Sequence, residues 1–218
     1  MIAYGIGILT LIKNPKREIP NTTQPWYTDD SGALGTFAIL ETYFDFLKIQ
    51  GPGRGYHPEP TKSVLIIHPE NIKAKRVFGA RHEFRVWTGT SYLGGCIGEN
   101  DYKRDWLRER TLTWEKNINT ISETVGKHPQ DSYVAVVGAI QSKWIFLQHV
   151  TWDTGDSFVG VEKMIRETFL PRPFFGKTPL PLVVEALNTI PVKEYGMGIL
   201  NPVTSEQEKY LSSTRGSA

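Results

Sequence analysis

The 218 residues carry 25 Lys and Arg against 23 Asp and Glu, a formal charge of +2, with 39% hydrophobic and 22% charged residues. This composition excludes a disordered chain, and so small a basic excess argues against a free-standing nucleic-acid binder held by charge. With one cysteine, Cys96, no internal disulfide can form.

The longest apolar run, Met1 to Ile12, is too short to span a bilayer and is followed by Lys13. It lacks the basic start and small-residue cleavage site of a secretory signal, so no targeting segment is read and an intracellular setting fits. The run predicts a buried helix with Ile2, Ile6, Leu9 and Ile12 on one face, ended by Asn14-Pro15. Domains usually begin with a polar, frayed end. A start inside a buried helix therefore places Met1 within a larger fold.

A loop over Lys16 to Gln24 leads to two short strands, Pro25 to Thr28 and Gly32 to Gly35, around an Asp-Asp-Ser-Gly turn. Thr36 then caps a helix, Phe37 to Ile49, with Phe37, Leu40, Phe44 and Leu47 at helical spacing and Gln50-Gly51-Pro52 as its stop. Gly51 to Gly55 (GPGRG) lacks the Gly-Lys-Ser/Thr ending of a phosphate loop and reads as a connector. Lys62 to His68 predicts a strand, Asn71 to Ala80 a short helix, and Phe84 to Trp87 with Ser91 to Gly98 a second strand pair. The order of elements suggests α+β rather than alternating parallel units.

Beyond Glu99-Asn100 the pattern turns helical: Tyr102 to Thr124, with Leu107, Trp114, Ile118, Ile121 and Val125 on one face, then Gln130 to Val150 and Val161 to Phe169. Pro171 to Pro181 separates these from Leu182 to Leu187, and the polar tail from Asn201 is expected to fray. The predicted units are residues 1–99, mixed, and 100–218, all helical.

No two of the histidines His57, His68, His82, His128 and His149 share metal-ligand spacing, and no Gly-x-Ser-x-Gly elbow is present. Trp106, Trp114, Trp144 and Trp152 could pack a core or stack on bases. Lys103, Arg104, Arg108 and Arg110 are interleaved with Asp101, Asp105 and Glu109, which reads as a solvated helix face. Asp29-Asp30 is either an ordinary turn or a carboxylate pair placed to hold Mg²⁺ beside substrate phosphates.

Tyr27-Thr28-Asp29-Asp30 resembles the Tyr-x-Asp-Asp box of reverse transcriptases. Pro60-Thr61-Lys62-Ser63 before an apolar strand is similar to the lysine-bearing segment that comes next in non-LTR-type retroelements. Tyr92-Leu93-Gly94-Gly95 resembles their primer-grip turn, and Gly196-Met197-Gly198-Ile199 a glycine-rich motif downstream of the thumb. Each motif is short; their order and spacing give the match its specificity. Thr28 stands where alanine is commoner.

The resemblance implies an RNA-directed DNA polymerase that uses an RNA template, a DNA primer and dNTPs by two-metal phosphoryl transfer with Mg²⁺ or Mn²⁺. Asp29 would bridge the metals and Asp30 would be the less essential neighbour. Lys62 would lie near the leaving phosphate, and Tyr92, Leu93 and Gly94 would position the primer backbone. The fold implied is the back half of a palm over residues 1–99, followed by a thumb-like region over 100–218. The family's other essential aspartate precedes the box, but Met1 to Thr28 holds no aspartate and only one acidic residue, Glu18. The chain therefore reads as an N-terminally truncated polymerase, inactive alone. The competing reading is a non-catalytic helical module, derived from a retroelement, that binds nucleic acid or protein.

Overall fold

The computed structural model describes residues 2–28, 30–71, 81–174 and 182–216. They form a mixture of helices and small two-stranded sheets, an α+β arrangement in two units, Met1–Thr88 and Gly89–Ala218. The hairpin before Glu99 belongs to the second unit.

In the first unit, helix α1 spans Ile2–Glu18 and runs through Pro15 rather than ending there. Ile8, Leu11, Pro15 and Ile19 recur at spacings of three, four and four, and all are buried. That burial holds the helix together although Pro15 lacks an N–H donor. The buried stripe thus differs from the predicted one: Leu9 is exposed and Ile12 half-buried. The Ile2 and Ile6 side chains lie outside the described part.

Helix α2, Phe37–Gln50, packs Tyr43 and Leu47 against Ile8, Leu11 and Ile19. The Thr36 carbonyl accepts the Leu40 N–H at 2.9 Å, but its hydroxyl caps nothing. Gly51 closes the helix because a Cβ there would lie 2.4 Å from both the Leu47 and the Tyr56 carbonyl oxygens. From the same loop, Arg54 donates through Nε to Thr10 Oγ1 at 3.1 Å and through Nη1 to the Gln50 carbonyl at 2.8 Å. GPGRG is therefore a tie between α1 and α2.

Strands β1 (Trp26–Tyr27) and β2 (Asp30–Ser31) form an antiparallel pair. Strand β3 (Val64–Ile66) is shorter than predicted and pairs in parallel with β4 (Arg85–Trp87), a non-local pairing that local pattern does not reveal. Leu65 and Ile67 are buried there with Leu40, Phe84 and Val86 packed against them. Of the helix predicted over Asn71 to Ala80, only Asn71 is described, in a 3₁₀ turn Pro69–Asn71. At the end of that connection Arg81 donates to the Glu41 carboxylate, and buried His82 places Nε2 at 3.5 Å from Glu41 Oε1.

The second unit opens with the antiparallel hairpin β5 (Gly89–Tyr92) and β6 (Gly95–Gly98). Helix α3 spans Asn100–Thr124 and buries Trp106, Leu107, Trp114 and Ile118. One continuous rod follows: α4 (Pro129–Val134), a π-helical stretch Ala135–Gln141, and α5 (Ser142–Val150). Helix α6 (Val159–Met164) likewise passes into a π-helical Ile165–Phe169, then α7 (Pro171–Phe174). Helix α8 covers Leu182–Thr189. The core joins these helices through Trp144, Phe158, Val161, Phe169 and Ile199.

The polar tail does not fray. Residues 196–205 are clamped, and Glu206–Arg215 forms helix α9. Gln141 Nε2 donates to the Gly198 carbonyl at 2.9 Å, and its Oε1 accepts the Leu200 N–H at 3.0 Å. Gln148, fully buried, donates to the Pro202 carbonyl and accepts from Ser205 Oγ at 3.2 Å. The Tyr133 hydroxyl donates to the Met197 carbonyl. Gly196 sits where a Cβ would fall 2.0 Å from the Ile190 carbonyl oxygen, and Gly198 has φ +63°. Steric and backbone demands thus account for both glycines of Gly196-Met197-Gly198-Ile199.

Each amide is satisfied at both ends, so truncation strands buried backbone groups and costs about 1–3 kcal/mol. Gln148→Ala should lower stability in that range by denaturant titration, and Gln141→Ala by a comparable amount. An effect under about 0.5 kcal/mol for both would contradict the clamp. The Arg81 guanidinium bonded to Glu41 holds its carboxyl below the ordinary value. Such a group contributes stability above its unfolded pKa that is lost as pH falls through the folded one. The Tm gap between wild type and Glu41→Gln should therefore narrow as pH drops from about 6 to about 3; a constant gap would show that the pair adds nothing.

Candidate active site

The first candidate turn lies at the tip of a ladder that keeps one register along its length. Thr23 bridges Leu34, with reciprocal bonds of 3.2 and 2.9 Å, and the Gly32 N–H reaches the Pro25 carbonyl at 2.9 Å. Trp26 pairs Ser31, and Tyr27 pairs Asp30. The chain therefore reverses between Tyr27 and Asp30, nearer the tip than the predicted Asp-Asp-Ser-Gly turn, and Asp30 belongs to a strand. Asp30 is exposed. Asp29 lies outside the described residues.

Thr28 turns this hairpin at φ +56°. A two-residue reversal that matches strand twist needs positive φ, which glycine and asparagine supply cheaply. A β-branched residue there is an outlier. The hairpin is buttressed from one side: Ser31 Oγ lies 2.8 Å from Tyr56 Oη, and the Trp26 and Tyr56 rings meet edge-on with centroids 5.4 Å apart. Sequence reasoning did not single out Tyr56. Its only signal is its place directly after the GPGRG connector, whose closing glycine, Gly55, has φ +75°.

Lys62 closes a 3₁₀ turn, Pro60–Lys62, ahead of β3 rather than opening the strand. Its side chain is exposed, and its carbonyl accepts Arg85 Nη2 at 2.8 Å. The same unit therefore carries Asp30 and Lys62, both facing solvent, and no bond joins them among the described residues.

The second candidate turn lies in the other unit and also joins two antiparallel strands. Tyr92 pairs Gly95, and the reversal is made by Leu93 at φ +49° and Gly94 at φ +82°. Positive φ at both central positions defines the tight hairpin turn that usually takes Asn-Gly. Tyr92 is half-buried and Leu93 exposed. A Cβ on Gly94 would stand 3.1 Å from the Phe146 ring, and one on Gly95 would stand 3.1 Å from Val150 Cγ2. The turn is thus pressed onto α5, which fixes Tyr92, Leu93 and Gly94 relative to the helical core.

Among the described residues no three His, Cys, Asp or Glu side chains gather at metal-binding distance. Asp30 offers a hard carboxylate oxygen of the kind Mg²⁺ takes, but alone it is one ligand of the several such an ion needs. Of the four tryptophans that could stack on bases, Trp106, Trp114 and Trp144 are core residues and Trp152 is on the surface. Compared with known protein families, curated proteins and solved structures, the chain finds no match.

Thr28→Gly and Thr28→Asn should each relieve the left-handed strain and raise stability by about 1 kcal/mol or more, read as an increase in Tm. A fall in Tm for both would mean that the threonine is held at no cost.

Proposed function

We propose that this chain is part of a retroelement reverse transcriptase, with Asp29-Asp30 as metal-bearing carboxylates and Tyr92-Leu93-Gly94 as the turn that holds the primer strand. The observation that carries this reading is the shared construction of the two motifs. In each, the residue that follows the last paired position before the reversal, Thr28 or Leu93, is bulky and lies in the left-handed region. Backbone strain of this kind costs of order 1–3 kcal/mol and persists chiefly where it places functional groups. A tight surface turn more often takes Asn-Gly.

On this reading Tyr27 and Asp30 are pinned by strand pairing and by the Tyr56 buttress, so the carboxylate edge is held before substrate arrives. Lys62, an exposed cation ahead of β3, supplies positive charge for the triphosphate. Mg²⁺ or Mn²⁺, when bound, would activate the primer 3′-hydroxyl and neutralise the leaving pyrophosphate. Two metals need carboxylates from more than one strand, and Met1 to Thr28 offers no aspartate. By the resemblance the further carboxylate precedes the box, where Met1 to Thr28 holds no aspartate, so on this reading these residues alone do not extend a primer. The glycine-rich motif at 196–199 has its structural account in the clamp.

The test is Mn²⁺ binding in the presence of a dNTP, followed by electron paramagnetic resonance. Wild type should bind, and the double change Asp29→Asn with Asp30→Asn should weaken binding at least about tenfold, while the single change at Asp29 accounts for most of the loss. Equal binding by wild type and the double variant sinks the assignment. Primer extension by the 218 residues alone would overturn the need for an outside carboxylate.

A further inference from the structure

Lys16, Pro20, Thr22, Thr23, Gln24 and Pro25 line a cleft of about 430 Å³ in the first unit, where α1 passes into the hairpin ladder. A volume of this size suits a small ligand. Its walls are fixed. Ile19 is buried, and its carbonyl accepts the Thr22 N–H at 3.3 Å. Thr23 exchanges bonds with Leu34, and the Pro25 carbonyl accepts the Gly32 N–H, so the chain is tied to the hairpin on both sides of Gln24. Gln24 itself is only 8% exposed, and neither its Oε1 nor its Nε2 has a hydrogen-bond partner. The Thr22 hydroxyl is likewise covered and unpartnered.

Buried side-chain amides are nearly always bonded, because nothing else replaces the water they lose. Gln141 and Gln148 obey this, each satisfied at both ends. Gln24 differs in lining a cleft, and its broad terminal torsion lets the amide turn to meet an occupant. Lys16 is exposed and pairs with no acid among the described residues, since neighbouring Glu18 pairs with Arg17 at 3.5 Å. Met1 to Thr28 carries three basic side chains and one acidic one, so the surroundings favour an anion. A phosphate is poorly served here. The Thr22 and Thr23 N–H groups that could cradle it are spent on Ile19 and Leu34, and no arginine fork is among the lining residues named above. One lysine matches one negative charge, and the amide beside it matches another amide, donor to acceptor in both directions.

We propose that this cleft binds a carboxylic acid with an amide next to its carboxylate, the chemistry shared by an acylated amino acid and a peptide C-terminus. Lys16 takes the carboxylate, Gln24 and Thr22 take the amide, and Pro20 and Pro25 pack on the carbon frame. The site is independent of the metal reading of Asp29-Asp30. Gln24 and Pro25 lead directly into β1, so an occupant steadies the base of the hairpin whose tip carries those aspartates.

The experiment is a titration of the isotope-labelled intact chain with N-acetylglycine, followed by NMR at the Gln24 side-chain amide and the Thr22 and Thr23 backbone amides. N-acetylglycine should shift all three saturably. N-acetylglycinamide, which lacks the charge, and acetate, which lacks the amide, should each bind at least about tenfold more weakly. Gln24→Leu should weaken binding roughly 10- to 100-fold while its Tm equals or exceeds that of wild type, because an unanswered buried amide has been removed. A purely structural glutamine would lower the Tm instead. Lys16→Met should weaken binding about tenfold and make the remainder less sensitive to salt. A tripeptide with a free C-terminus that binds more tightly than N-acetylglycine assigns the acid to a chain end, and equal binding assigns it to a small molecule; either result upholds the site. Equal affinity of wild type and Gln24→Leu overturns the proposal, as does inorganic phosphate binding as tightly as N-acetylglycine. The absence of a saturable shift with every probe also overturns it and leaves ordered water as the only occupant.

Discussion

The second unit depends on two buried side-chain amides. Gln141 and Gln148 stand seven residues apart, so a helix brings them to one face. Each uses its oxygen and its nitrogen on the segment 198–205, whose first half is irregular and whose second half is turn. Without them Ile199 would have no fixed route into the core that it shares with Trp144, Phe158 and Phe169. The π-helical stretch that ends at Gln141 belongs to the same arrangement. Tyr133, which bonds the Met197 carbonyl, lies eight residues before Gln141, within one helical stripe.

The first unit answers to a different constraint, the tightness of a reversal. Between the Thr23–Leu34 bridge and the Tyr27–Asp30 pair the ladder has no room for a long loop. Thr28 therefore takes a left-handed backbone, and Tyr56 steadies the strand that follows. Gly51 matters for the same reason at one remove. Its missing side chain lets the chain fold back sharply enough for Tyr56 to reach the hairpin.

What was legible in the sequence was local. The limits of α2, the long helix α3 and the first hairpin follow from spacing and from turn residues, whereas the strand pair predicted between Phe84–Trp87 and Ser91–Gly98 does not form, because β4 pairs with β3 and residues 89–98 close on themselves. What was hidden depends on partners distant in the chain. Pro15 looked like a stop, yet burial of Ile8, Leu11 and Ile19 carries α1 through it. The β3–β4 pairing is parallel and joins segments some twenty residues apart. The tail looked frayed because its residues are polar, and those same polar groups meet Gln148, Thr154 and His149. At the candidate site the motif residues were evident, but the position of the turn was not. Nothing local to Asp29-Asp30 says that the chain reverses through Thr28. Trp152 was visible only as one of four equivalent tryptophans, and burial alone separates it from the rest.

The amide clamp has a consequence for how the chain is made. Its bonds join residues separated by 54 to 64 positions. Contacts that close so long a loop form late, after local helices. During synthesis the π-helical rod emerges with Gln141 and Gln148 unanswered and stays open until residues 196–205 have left the ribosome. Over that interval the apolar face around Trp144 and Phe158 has no lid. A stretch made well after the rod is thus the one that completes the fold, and a chain cut short before Gly196 would leave its core uncovered.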